Sequence, residues 1–144
     1  MKPIRVLFLC TGNSARSIIG AALLRDMGGD AFEVHSAGTE PKGINPYTQR
    51  VLSAAGIDIS GERSKNVSEF EGQAFDYVIT VCDAAAERCP VFPGAPERIH
   101  LSFVDPAAVA GTDDEKLAAF RRTLREMQAR LTTFVPVAKR RAEA

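Results

Sequence analysis

The chemistry-bearing residues of this chain are a cysteine with an arginine six positions on (Cys10 and Arg16), a pair of cysteines seven apart (Cys82 and Cys89), and an aspartate before a proline (Asp105-Pro106). In Cys10-Thr11-Gly12-Asn13-Ser14-Ala15-Arg16-Ser17 the cysteine, a five-residue turn and the arginine form a cradle for a tetrahedral oxyanion. The apolar run Ile4–Leu9 predicts a buried strand, and the chain from Ser17 predicts a helix, so the turn joins a strand end to a helix start. Backbone N–H groups at a helix start have no intrahelical partner, and the aligned peptide dipoles add positive potential there. Those amides and Arg16 favour the thiolate form of Cys10, the nucleophilic form. The Arg16 guanidinium is a planar fork that can take two oxygens of phosphate or arsenate at once. Gly12 permits close backbone approach. Asn13 and Ser14 can tie the loop into shape, and the Ser17 hydroxyl can donate to the Cys10 sulfur.

Between Cys82 and Cys89 lies Asp83-Ala84-Ala85-Ala86-Glu87-Arg88, a stretch that favours helix. On a helix, seven residues span about 10 Å, whereas the Cα atoms of a disulfide approach to about 4.4–6.8 Å. Two readings stay open. The thiols are small buried hydrophobes, or they are a redox pair that is helical when reduced and looped out when oxidised, with Pro90 at the boundary. Zinc ligation suits neither the spacing nor the absence of neighbouring ligands, so no metal site is expected. His35 and His100 are expected to belong to strands or their edges. Asp105-Pro106 follows the last predicted strand. It is either ordinary turn chemistry or a carboxylic acid placed to protonate a leaving oxygen.

The elements that must position these groups alternate. A first helix is predicted over Ser17–Met27 with Gly28-Gly29 stopping it, and a strand over Phe32–Ala37 closed by Gly38. Asn45-Pro46 supplies an N-cap and first-turn proline for a second helix, which Gly56 ends. A polar loop over Asp58–Ser68 is expected to run past the oxyanion site, with a short helical turn at Glu69-Phe70. Further strands are predicted at Phe75–Val81 and Arg98–Leu101. The last helix starts at a Thr112/Glu115 capping box, repeats apolar residues through Phe134, and is expected to end at Pro136. Alternation of this kind predicts an α/β fold: a three-layer α/β/α arrangement around a central four-stranded parallel sheet, with working groups beyond the carboxyl ends of the strands. Cys10, Cys82 and Asp105 each follow a predicted strand, so one sheet edge can gather all three.

At 144 residues the chain fits one catalytic domain, 1–144. Eighteen basic and eighteen acidic residues balance, so no global charge points to nucleic acid or membrane. The early apolar run Val6–Leu9 is far short of a signal sequence, and nothing approaches a membrane span. A cytoplasmic protein is the default expectation, and there thiols stay reduced unless they work in redox chemistry.

With Cys10–Ser17, Cys82/Cys89 and Asp105-Pro106 assembled, the chain resembles the thioredoxin-coupled arsenate reductases built on the low-molecular-weight tyrosine phosphatase fold. Ser36-Ala37-Gly38-Thr39, Asn45-Pro46 and Val81-Cys82-Asp83 extend the likeness over nearly the whole chain. The resemblance implies a cascade in which residues Thr11–Ser17 bind arsenate, Cys10 attacks it and Asp105 protonates the departing oxygen. Cys82 then attacks Cys10 and arsenite leaves. Cys89 closes a Cys82–Cys89 disulfide that thioredoxin reduces. A monomer with no bound cofactor is expected. Thioredoxin and glutaredoxin both stay open as reductant, and an internal resolving pair favours thioredoxin. The potassium-binding branch has carboxylates where Ala21 and Lys65 stand here, so no cation site carries over. The Lys65 ammonium is expected to replace the cation near Asn13. Position 15 is alanine where many relatives have another cysteine. Two other readings share the residues. A small tyrosine phosphatase would use the same loop, arginine and acid, but it has an aromatic pair where Ala107-Ala108 follow Asp105-Pro106 and has no need of Cys82 and Cys89. A non-catalytic oxyanion or redox sensor would use the disulfide as a signal.

Overall fold

The computed structural model describes residues 2–143. Four strands form one parallel sheet in the order β2-β1-β3-β4: β1 (Ile4–Cys10), β2 (Phe32–Gly38), β3 (Tyr77–Thr80) and β4 (Glu97–His100). β1 sits at the centre because it can be buried on both faces: Val6, Leu7, Phe8 and Leu9 are all sealed from solvent, as a continuous apolar run requires. β4 has no second neighbour and is largely exposed, in keeping with its Glu97-Arg98 start.

Helices α1 (Arg16–Gly28), α2 (Pro46–Ala54), α3 (Asp83–Glu87) and α4 (Asp113–Glu143) complete a three-layer α/β/α fold. α1 packs on β1, β2 and α4, while α3 packs on β1 and β3. The buried apolar side chains form one contiguous cluster, with Phe8, Ile18, Leu24, Ile79 and Phe120 among its largest members.

Local signals set most boundaries. The Asn45 side chain accepts from the Tyr47 N–H at 2.9 Å and caps α2. Asn66 caps the 3-10 turn Val67–Phe70 in the same manner. At α4, Thr112 Oγ1 accepts from the Glu115 N–H and Glu115 Oε1 accepts from the Thr112 N–H, both at 3.2 Å, closing the predicted capping box.

The structure corrects the sequence at Pro136, which does not end the last helix: α4 continues through Pro136 to Glu143. A proline inside a helix costs about 3 kcal/mol through the lost N–H and ring clash. Here the freed carbonyl belongs to exposed Thr132, where water can satisfy it. Packing offsets the rest. Phe134 lies against Phe32 and Tyr77, Ala138 is buried, and Arg141 pairs with Glu97. The strands predicted at Phe75–Val81 and Arg98–Leu101 are also shorter or shifted by a residue in β3 and β4.

Candidate active site

β1 delivers Cys10 to the carboxyl edge of the sheet, and the loop from Thr11 to Ala15 turns directly into α1. Ala15, at the helix N-cap, has no side chain with which to cap the first turn, so those amides remain available to an anion. The loop is tight at Asn13, whose φ of 45° lies in the left-handed region, a conformation asparagine tolerates better than most residues.

Buried hydrogen bonds organise the loop around the sulfur. Cys10 Sγ accepts from the Asn13 N–H at 3.2 Å and lies 2.8 Å from Ser17 Oγ. Asn13 Nδ2, which can only donate, gives its hydrogens to Ser17 Oγ at 2.8 Å and Ser36 Oγ at 3.1 Å. The Ser17 oxygen is thereby occupied as an acceptor, and its hydroxyl hydrogen is directed to the Cys10 sulfur. Two hydrogens thus converge on one sulfur.

A second tier holds the loop from behind. Asn13 Oδ1 accepts from the Lys65 backbone N–H at 2.7 Å, Gly12 O accepts from Ser64 Oγ at 3.1 Å, and Lys65 O accepts from the Gly38 N–H at 2.8 Å. Gly38 is required by contact. A Cβ there would collide with the Thr11 carbonyl and stand 2.8 Å from Asn13 N.

Lys65 differs from expectation. Its backbone, not its ammonium, reaches Asn13. The ammonium is buried on Glu62 Oε1 at 3.1 Å and the Arg63 carbonyl at 2.8 Å. Glu62 also accepts from Arg25 at 2.9 Å. Burial alone would push the Glu62 carboxyl up, but Arg25 and Lys65 together hold it below the ordinary range.

Cys10, Arg16 and Asp105 line one cavity of about 300 Å³ with Thr11, Gly12, Ser14 and Ala15. Arg16 Nη1 donates to the Phe103 carbonyl at 3.0 Å, and Nη2 stands 3.8 Å from Asp105 Oδ2. The guanidinium thus draws the loop after β4 over the cavity. Asp105 caps the 3-10 turn Pro106–Ala108 by accepting from the Ala107 N–H at 3.0 Å, which leaves its carboxyl fixed at the cavity rim. The cavity also takes in Glu40 and Lys42 from the chain after β2. Neither residue was expected from the sequence, although the rule that working groups follow strand ends applies to β2 as it does to the others.

Cys82, the N-cap residue of α3, is buried, and its sulfur lies 3.4 Å from Thr11 Oγ1. A second thiol therefore adjoins the oxyanion loop itself. The predicted helix between the two cysteines is real but short: α3 spans Asp83–Glu87, and Cys89 lies beyond it, half-buried, with its Sγ 3.6 Å from the Pro90 carbonyl. Burial pushes the Cys89 thiol up, and Arg98 opposes this only in part. His100 lies on β4, where its ring bridges Thr80 and Asp83 at 2.8 Å each; His35 lies on β2 and pairs with Glu33. Among the described residues no group of His, Cys, Asp and Glu could hold a metal ion, and no helix is long and apolar enough to cross a membrane.

The arrangement brings together a cysteine sulfur, a loop whose helix-start amides are free, a guanidinium, a carboxyl at the cavity rim and a second sulfur 3.4 Å from the Thr11 hydroxyl. Proteins similar to this chain have been described. Over 134 residues it is 42% identical to the arsenate reductase of Halalkalibacterium halodurans, covering 93% of this chain and 96% of that one. The crystal structure of arsenate reductase from Archaeoglobus fulgidus superposes with a TM-score of 0.74 at 28% identity, covering 91% of this chain and 98% of that one. The thioredoxin-dependent arsenate reductase of Corynebacterium glutamicum superposes with a TM-score of 0.64 at 30% identity, covering 94% of this chain and 64% of that one. Residues 5–142 match the low molecular weight phosphotyrosine protein phosphatase family, and the chain belongs to that family.

Proposed function

We propose that this protein, acting as a single catalytic domain, is an arsenate reductase that converts arsenate to arsenite and is regenerated by thioredoxin. The observation that carries the reading is the Cys82 sulfur 3.4 Å from Thr11 Oγ1. A hydrolase needs only the cradle, the nucleophile and the acid, whereas a second thiol held against the first residue of the loop serves a reaction in which the first sulfur must be attacked by a second. The likeness to named arsenate reductases over most of the chain supports the same reading.

Arsenate enters against the Thr11–Ala15 amides and Arg16. The Cys10 thiolate attacks arsenic, an As–S bond forms, and one oxygen leaves as water after taking a proton from Asp105. The Cys82 thiolate then attacks the Cys10 sulfur. An S–S bond forms, the As–S bond breaks with its electron pair on arsenic, and As(V) departs as As(III) in arsenite. Cys89 attacks the Cys82 sulfur, releasing the Cys10 thiolate and leaving a Cys82–Cys89 disulfide. The thioredoxin dithiol reduces that disulfide by exchange. α3 must rearrange for the last closure, and a helix of five residues has little propagation to lose. The described residues hold no membrane span, which is compatible with work in the cytoplasm, where thioredoxin is kept reduced.

The test is arsenate-dependent NADPH oxidation with thioredoxin and thioredoxin reductase, comparing wild type with Cys10→Ser, Cys82→Ser and Cys89→Ser. Turnover by wild type and its loss in each variant is the expected result. An inactive wild type whose aryl phosphate hydrolysis survives loss of Cys82 and Cys89 would establish a phosphatase instead.

A further inference from the structure

The pocket proposed to take arsenate is not matched to a doubly charged anion by Arg16 alone. Asp105 and Glu40 place two carboxyl groups on its wall. Asp105 lies against Arg16, and Glu40 is engaged by Arg88 at 3.2 Å in an exposed pair. The remaining charge on the wall is Lys42, which forms no ion pair among the described residues. Without it, Arg16, already facing Asp105, would be the one cation among the described residues lining the cavity to meet an incoming dianion.

The position of Lys42 is built into the loop. Its backbone N–H donates to the Gly12 carbonyl at 3.0 Å. Its stem then lies along Gly12: a Cβ at that position would stand 2.8 Å from Lys42 Cε, 3.1 Å from Cγ and 3.2 Å from Cδ. Gly12 thus leaves the room through which the lysine crosses the oxyanion loop, and the side chain lines the same cavity as Cys10. An ammonium on a flexible stem is a compact point charge that follows total charge more than the planar geometry a guanidinium reads.

We propose that Lys42 is a specificity-determining residue of the oxyanion pocket, contacting the bound anion and selecting dianionic over monoanionic tetrahedral ligands. The identity of the substrate rests on the function proposed above, while the preference for charge rests on the pocket alone. Lys42 acts by direct contact, and Arg16 orients the oxyanion.

The experiment is calorimetric binding of inorganic phosphate to the reduced full-length protein as wild type, Lys42→Met and Lys42→Arg, at low and moderate salt and on both sides of neutral pH. Methionine keeps an unbranched stem against Gly12 and removes the charge. Phosphate is expected to bind Lys42→Met about tenfold more weakly, the loss of one charge-assisted contact. The gap should widen as pH rises and phosphate loses its second proton, and the dependence on salt should become shallower. Lys42→Arg should restore most of the affinity, all three proteins should unfold at the same temperature, and in arsenate turnover Lys42→Met should raise KM while leaving kcat nearly unchanged. Equal phosphate affinity in wild type and Lys42→Met overturns the proposal, as does a loss that Lys42→Arg does not repair. A wild type that binds neither phosphate nor arsenate overturns instead the reading of the cavity as an oxyanion site.

Discussion

At the scale of single residues, the site works by assigning each hydrogen a direction. Asn13 is the pivot: its amide donates to Ser17 and Ser36, its carbonyl side accepts from Lys65, and its own N–H donates to Cys10. Replacing it by a residue with one polar atom fewer would release the Ser17 hydroxyl from its orientation toward the sulfur. The three cysteines sit in different surroundings, and burial pushes the Cys89 thiol up. In the proposed cascade its attack on Cys82 requires the thiolate. With the Cys89 thiol raised above its ordinary value, the thiolate fraction, and hence the rate of Cys82–Cys89 closure, is expected to climb about tenfold per pH unit from pH 6 to 8. Acid quench after a single turnover, alkylation and mass measurement of the disulfide would show this. A rate independent of pH over that range would mean that rearrangement of α3, not the chemistry of Cys89, controls closure.

At the scale of elements, β1 and α1 present the loop, but the segment around residues 62–65 gives it a back wall. Ser64 and Lys65 hold Gly12, Asn13 and Gly38, and Glu62 anchors the segment between Arg25 of α1 and the Lys65 ammonium. Because the Glu62 carboxyl is held below its ordinary value in the folded state, its stabilisation is present above the unfolded value of about 4.3 and is lost as pH falls through the lower folded value. Glu62→Gln is therefore expected to cost about 1–2 kcal/mol at neutral pH, leaving Arg25 and Lys65 without their shared anion. The difference between variant and wild type should shrink on acidification below about pH 4, as the wild-type carboxyl also becomes neutral. Thermal unfolding of both proteins between pH 3 and 7 measures it. A gap that stays constant with pH would show that the ion pairs contribute nothing to stability.

At the scale of the whole molecule, the two ends of the sheet have separate tasks. The carboxyl edge gathers Cys10, Cys82 and Asp105, while the opposite edge is closed by the last turns of α4, where Phe134 meets Phe32 and Tyr77 at centroid distances of 6.2 and 5.0 Å. Phe134→Ala is expected to lower stability by about 2–4 kcal/mol, measured by urea unfolding. Activity of the folded fraction should be unchanged, because the space opened lies at the amino edge of the sheet, opposite the edge that carries the oxyanion loop. A drop in kcat without a drop in stability would contradict that division of tasks.

What the sequence by itself determined was whatever rests on local chemistry. The run Ile4–Leu9 and the turn to Arg16 carry their own signals: apolar continuity for a central strand, then a glycine and small polar residues where the chain must curl around an anion. The same holds for the caps at Asn45 and Thr112, whose hydrogen bonds reach no further than three residues. The alternation of strands and helices was sufficient for the parallel sheet, since a parallel crossover admits few arrangements. Only the tertiary structure decided the contacts made through backbone atoms or across long separations. Lys65 braces Asn13 with its amide, which any residue type except proline could supply, and no residue-type pattern marks such a contact over 52 positions. Lys42 and Glu40 join the cavity because β2 lies beside β1, not because of their spacing. Pro136 stays within α4 because packing of Phe134 and Ala138 outweighs a local cost that the sequence registers alone. Short-range hydrogen bonding and hydrophobic periodicity are written along the chain; the offset of one energy against another across the fold exists only once the chain has closed on itself.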